Sequence, residues 1–249
     1  MRPDQVALQL YTVRDLIARD LEGTLRAVAS AGYRFVEIAG IPDRLADSLP
    51  GALRHAGLTA IAAHVGFDRL RAGTSNAAVA LEAIGCPRAI VPSLPEANRR
   101  TPEDVAAFAR EMNDVATALS ERGIRLGYHN HSFEFAPLDG TTVWDVLLDE
   151  LDPAVELELD VYWASVGGRD PAAEIRRAAD RIGLLHMKDR RAGSDPRDAP
   201  AGEGILDMAS IVAAGREANV DWYIAEQDEP GDVLADIAVA RRNLLSLAG

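Results

Sequence analysis

The chain has 249 residues, 48% of them apolar, and a formal net charge of −13 at pH 7. That acidity disfavours general binding to nucleic acid or to an anionic membrane, because neutralising phosphates supplies most of a duplex-binding protein's affinity. Cys86 is the only cysteine, so no intrachain disulfide and no cysteine-rich zinc site can form. The opening MRPDQVALQLYTVRD has no long apolar run, and no stretch approaches the ~18 apolar residues of a membrane span. A cytoplasmic protein without a membrane or nucleic-acid partner is the expectation.

Short β-rich runs alternate with helical stretches. The strand candidates are VALQLYTV from Val6, FVEIAG from Phe35, TAIAAHVG from Thr59 and RAIVPS from Arg88. They continue with IRLGYHNH from Ile124, VELELDVYW from Val155, RIGLLHMKD from Arg181 and DWYIAEQD from Asp221. The clearest helix follows Thr101, a good N-cap, with Pro102 at the first helical position and acids in the first turn. Val105, Phe108, Ala109, Met112, Val115, Ala116 and Leu119 then recur at helical spacing until Gly123. Further helices are expected from Asp170, from Leu206 and over the last residues. Eight strand–helix units predict a single (β/α)8 barrel over residues 1–249. An open doubly wound sheet is the alternative, but it would normally show a Gly-rich turn after the first strand, where this chain has YTVRDLIARD.

A barrel carries its chemistry at the C-terminal ends of the strands. Gln9 and Tyr11 fall at or near the end of the first, Glu37 of the second, His64 of the third. His129, His131 and Glu134 end the fifth, Asp160 and Trp163 the sixth, His186 and Lys188 the seventh, Glu226 and Asp228 the eighth. Four of the five histidines lie at such ends, and only His55 falls in a helix. Singly, each has an ordinary alternative: a loop N-cap for Glu37, a hydrogen-bonded core histidine for His186. Glu156 and Glu158 alternate with apolar residues in the sixth strand and read as an inner polar layer or outer salt bridges, without a functional role. Together, Glu134, Asp160, His186 and Glu226 end four consecutive strands. Three carboxylates and an imidazole on one rim would repel without a cation. This donor set suits Mn²⁺ foremost, with Mg²⁺, Co²⁺, Fe²⁺ or Zn²⁺ also compatible. A metal-free polar rim is the competing reading.

The motifs LQLYTVRD, GYRFVEIAG, AAHVGF, GYHNHSFEF, LELDVYWASVGGRDP, LLHMKD, GEGILD and IAEQD run in order along nearly the whole chain. In them the chain resembles the xylose-isomerase-like barrel superfamily, in the group of sugar phosphate isomerases and epimerases. The resemblance implies a metal held by Glu134, Asp160, His186 and Glu226. Sugar epimerases of this fold place a Glu directly on strand five, where this chain has His129. Its histidine-rich strand-five end is nearer the inosose-dehydratase-like and keto-glycoside-processing members. The endonuclease branch is similar in fold but needs more histidines for its trinuclear zinc cluster.

The implied chemistry is proton removal next to a carbonyl of a ketose, inosose or keto-sugar, giving an enediolate. Isomerisation or epimerisation is the first reading. Dehydration or lysis by β-elimination on an inosose or 3-keto-glycoside is the alternative, and a non-catalytic sugar-binding barrel the second alternative. His129 or His131 is the candidate base or acid. Glu134 and Glu226 are ligands that also shuttle protons, and Lys188 holds a substrate oxygen unless it pairs with Asp189 or a rim carboxylate. Glu37, His64 and Trp163 are candidate substrate contacts. The segment RRAGSDPRDAPA before GEGILD reads as a mobile lid, bringing Glu203 to the site on closure. The expected partner is a small sugar or polyol, with no phosphate-binding Gly-rich turn in view, and a homo-oligomer is left open.

Overall fold

A computed structural model describes residues 1–40, 45, 47–193 and 197–248. Eight parallel strands close into a barrel in sequence order. They are β1 Val6–Gln9, β2 Phe35–Ile38, β3 Thr59–His64, β4 Arg88–Val91, β5 Arg125–His129, β6 Glu156–Asp160, β7 Ile182–Met187 and β8 Trp222–Ala225. The barrel closes where β8 pairs with β1 through Val6 and Tyr223. Each expected strand is present, and the chain is a single (β/α)8 barrel rather than an open sheet.

Two strands stop earlier than their apolar runs suggest, and in both a polar side chain turns the backbone. The Gln9 side chain accepts from the Tyr11 N–H (3.1 Å), so Leu10–Val13 forms a 3₁₀ turn. Asp160 accepts from the Trp163 N–H (2.9 Å) and caps a helix over Val161–Val166. Chain direction therefore changes at a residue that also belongs to the rim.

The helices form an outer layer. The helix over Pro102–Ser120 begins at Thr101, whose side chain and that of Asp104 bond reciprocally to each other's backbone N–H. All seven of its expected core residues are buried. Burying each large aliphatic or aromatic side chain contributes ~1.5–3 kcal/mol, which is what fastens the helix to the sheet. Among the described residues no helix is long and apolar enough to cross a membrane.

The barrel interior is layered. At the N-terminal end, Arg88, only 4% exposed, bonds through Nε to Glu156 (2.8 Å) and pairs with Asp221, while Arg125 also pairs with Glu156. Above this ionic plug, Ala7, Ile61, Ala62, Ile90, Leu184 and Ile224 form a dry core of their own. Gly127 is the residue that lets this layer close: a Cβ there would lie 2.6 Å from Ile90 Cδ1. The third layer, at the C-terminal ends, is polar.

Candidate active site

Side chains alternate along a strand, so residues two apart share a face. Glu158 and Asp160 on β6 therefore turn inward together. His186 pairs in register with Asp160 from β7, and Lys188 follows it two residues on. Glu37, Glu158, Asp160 and His186 are completely buried, and Glu226 is 7% exposed.

His186 is the hub of this layer. Its Nε2 lies 2.7 Å from Glu37 Oε2 and 3.2 Å from Glu158 Oε2; its Nδ1 lies 2.9 Å from Glu226 Oε2 and 3.9 Å from Asp160 Oδ2. Burial alone would lower the His186 pKa, but Glu158, Glu226 and Glu37 outweigh it and hold it well above the usual value. One oxygen of Glu158 also meets His64 Nε2 at 2.8 Å and His129 Nδ1 at 3.1 Å. Burial would raise Glu158, yet His186, His129 and His64 hold it well below the carboxylate range. Burial, reinforced by Glu158, pushes Glu37 up to about 7, and burial pushes Asp160 up to about 6.

A second cluster shares Asp160 and Glu226. Lys188 Nζ stands 3.2 Å from Asp160 Oδ2, 2.9 Å from Glu226 Oε2 and 2.9 Å from Asp228 Oδ2. Burial opposes its charge, but these three carboxylates hold the Lys188 pKa well above normal. Its partners are thus rim carboxylates and not Asp189, which is used elsewhere. Buried Asp189 accepts from the N–H groups of Arg190, Leu206, Gly202 and Gly204 at 2.7–3.1 Å.

Above the layer opens a cavity of about 740 Å³ whose wall includes His64, His129, His131, Trp163, Lys188 and Glu226. His131 stacks on Phe133 (5.9 Å between centroids) and leans on Trp163 (5.5 Å). Burial and the Lys188 charge lower the His131 pKa to about 4, so its imidazole is neutral at pH 7. Burial likewise holds His129 well below its normal value. Tyr11, 42% exposed, lines the mouth together with Asp198, Asp228 and Glu229.

Three residues expected at the site stand off the cavity wall in the structure. Glu134 does not join Asp160, His186 and Glu226. The turn Phe133–Phe135 carries it back under the strand end, where Oε1 accepts from the Tyr128 hydroxyl (2.6 Å) and Oε2 from the His131 N–H (2.8 Å). Burial pushes its pKa up to about 7. Glu37 does not reach the cavity wall, because its carboxylate is taken up by His186. Glu203 is exposed and accepts from Asn243 Nδ2 (2.8 Å) on the last helix, outside the cavity wall. The expected lid RRAGSDPRDAPA lies partly outside the described residues, at 194–196; its flanks Asp189–Arg190 and Asp198–Ala199 pair as an antiparallel ribbon.

Two site residues escaped the sequence reading. Glu158 carries no functional role in the sequence pattern, yet its spacing of two from Asp160 places both on the inner face. Asn130 was overshadowed by its neighbouring histidines. Its Oδ1 accepts from the Asp160 N–H (3.0 Å) and its Nδ2 donates to the His131 carbonyl (3.3 Å), joining the ends of β5 and β6.

The donors fit a divalent cation. Ligating atoms of Asp160, His186 and Glu226 lie within 4.8 Å of one another, as do those of His64, His129, Glu158 and His186. Glu37 Oε1 and Glu158 Oε1 are buried without a hydrogen-bond donor, and Asp160 Oδ2 has only the Lys188 ammonium at 3.2 Å. Such oxygens are costly in a protein interior unless a charge compensates them.

Comparison with known proteins agrees with this architecture. An inosose dehydratase of Geobacillus kaustophilus (strain HTA426) is 30% identical over 154 residues, covering 53% of this chain and 48% of the relative. The match thus spans about half of that curated relative's length. A solved sugar phosphate isomerase/epimerase from Parabacteroides distasonis ATCC 8503 superposes with a TM-score of 0.84 at 23% identity, covering 97% of this chain and 93% of that one. The IolI protein, solved with a bound zinc atom, gives a TM-score of 0.75 at 15% identity, covering 98% and 97%. Residues 25–244 match the family description of xylose isomerase-like TIM barrels, and the chain belongs to that family.

Proposed function

We propose that the chain is a divalent-metal-dependent enzyme that removes a proton next to the carbonyl of a ketose, inosose or keto-sugar. The observation that carries this reading is the meeting of buried Asp160 and His186 with Glu226, which lines a 740 Å³ cavity. These three would hold the cation, with His186 ligating through Nδ1. A cation there supplies Lewis-acid polarisation of substrate oxygens. Nε2–H of His186 then stays on Glu37, the carboxylate–histidine arrangement that fixes ring orientation.

The remaining work falls to side chains on the cavity wall. His131 is the better proton carrier of the two histidines, because His129 Nδ1 stands 3.1 Å from the buried Glu158 carboxylate. Lys188, sharing Asp160 and Glu226 with the cation, is placed to hold a developing oxyanion through its ammonium. The Trp163 ring offers a flat face to a sugar.

Elimination from an inosose or 3-keto-glycoside is the second reading, favoured by the likeness to an inosose dehydratase. Both readings begin with the same proton removal and are separated by product. The experiment is proton exchange at carbon in D₂O over a panel of ketoses, inososes and keto-glycosides, after loading with Mn²⁺. Exchange without loss of water supports isomerisation or epimerisation; release of water or aglycone supports elimination. No exchange with any member, in metal-loaded protein, would overturn the enzymatic reading.

A further inference from the structure

The polar layer contains more ligating atoms than the cation at Asp160, His186 and Glu226 uses. On the far side of His186, one oxygen of Glu158 is shared by two imidazoles from other strands. Glu158 Oε2 stands 2.8 Å from His64 Nε2 and 3.1 Å from His129 Nδ1. Ligands about 2.0–2.1 Å from a tetrahedral zinc are about 3.4 Å apart, and the ligating atoms of His64, His129 and Glu158 lie within 4.8 Å of one another, close enough to converge on one ion.

The hydrogen-bonding state of these atoms points the same way. Despite its short contact, His129 Nδ1 has no hydrogen bond of acceptable geometry, and Glu158 Oε1 has no donor at all. His129 is 3% exposed and Glu158 fully buried. A further buried oxygen without a donor, Glu37 Oε1, lies 3.5 Å from His64 Nε2. The other oxygen of that carboxylate is held by His186, which leaves Oε1 as the spare. Two carboxylates and two imidazoles, from β2, β3, β5 and β6, thus face one another; His64 Nε2 bonds Glu158 Oε2, while Glu37 Oε1, Glu158 Oε1 and His129 Nδ1 are left without a hydrogen bond. His64 and His129 also border the cavity, which gives an ion a route in.

We propose that His64, His129 and Glu158 form a second, inner cation site, with Glu37 as the adjacent carboxylate, selective for zinc or another nitrogen-preferring divalent ion. Two imidazoles with carboxylate oxygen suit Zn²⁺ better than Mg²⁺ or Ca²⁺, which prefer all-oxygen shells. The site does not need His186, so it can fill alongside the outer one. Occupation would neutralise Glu37 and Glu158 and fix the two imidazoles at the cavity floor.

The test is metal stoichiometry. The full chain is stripped with chelator, reloaded with Zn²⁺, desalted and analysed by inductively coupled plasma mass spectrometry. Wild type is expected to retain two equivalents per chain. His64→Ala and Glu158→Gln should each retain one, and Asp160→Asn should also retain one. With Co²⁺ in place of zinc, Asp160→Asn should keep the strong visible absorption of a tetrahedral nitrogen-containing site, and His64→Ala should lose it. Circular dichroism melts show which variants are folded; Glu158→Gln is nearly isosteric and serves if His64→Ala is not. Retention of one equivalent by wild type, unchanged in folded Glu158→Gln or His64→Ala, overturns the inner site and leaves the outer one standing. One equivalent lost in Glu158→Gln but kept in Asp160→Asn supports the inner site and overturns the outer assignment. No retained metal overturns both.

Discussion

The carboxamide oxygen of Asn130 accepts a hydrogen bond from the backbone N–H of Asp160 at 3.0 Å. The contact crosses from the end of β5 to the end of β6, and both residues are completely buried. It sets the height of Asp160 against His186 before any ligand arrives. Removing it in Asn130→Ala leaves a buried N–H unmatched, at a cost of about 1–3 kcal/mol. Partners that orient a ligand typically affect metal affinity ~10–100-fold. Urea unfolding and Mn²⁺ titration of the variant should show both losses; unchanged Mn²⁺ affinity would remove Asn130 from the supporting set.

Asp160→Asn should reduce metal content and carbon-proton exchange together while leaving the fold largely intact. The side chain keeps an oxygen to cap the helix at Trp163, so the local turn survives. Metal analysis beside circular dichroism decides it. Full activity with full metal content would place the site elsewhere.

Glu134→Gln should behave differently. Its two oxygens serve two donors, the Tyr128 hydroxyl and the His131 N–H, and an amide has only one oxygen to offer. A loss of about 1–3 kcal/mol in stability is expected, with metal content unchanged. Loss of a metal equivalent from folded Glu134→Gln would restore Glu134 as a ligand.

Away from the site, Asp145 gives a pH-dependent contribution of known sign. Burial would raise its pKa, but Thr142 (2.6 Å) and Arg177 outweigh this and hold it below the usual carboxylate value. A folded pKa below the unfolded ~3.9 means the stabilisation is present above that pH and is lost as pH falls through the folded value. Asp145 is partly exposed, so Asp145→Asn should cost about 0.5–1 kcal/mol at pH 7. Urea melts should show the gap to wild type closing below pH ~3.9. A gap of the same size at pH 3 would show that the lost term is packing, not charge.

The motif HNHSFEF shows why part of the site was hidden. Its residue types announced chemistry, but four nearby polar residues take four different positions once the strand ends at His129. His129 faces Glu158, Asn130 reaches Asp160, His131 joins the cavity wall and Glu134 turns back to Tyr128. Nothing in the spacing of an irregular turn tells which way each side chain points. In β6 the spacing was informative: period-two alternation already paired Glu158 with Asp160.

By itself the sequence determined the barrel, its strand order and the rim on which the polar residues gather, because alternation and capping are local and repeat eight times. It also placed Asp160, His186 and Glu226 at or beside the ends of regular strands. Only the tertiary structure decided which carboxylates meet around His186. That choice depends on distances of a few ångströms between strands far apart in the chain. Closing the barrel brings Glu37 and Glu158 onto His186 and leaves Glu134 under the turn.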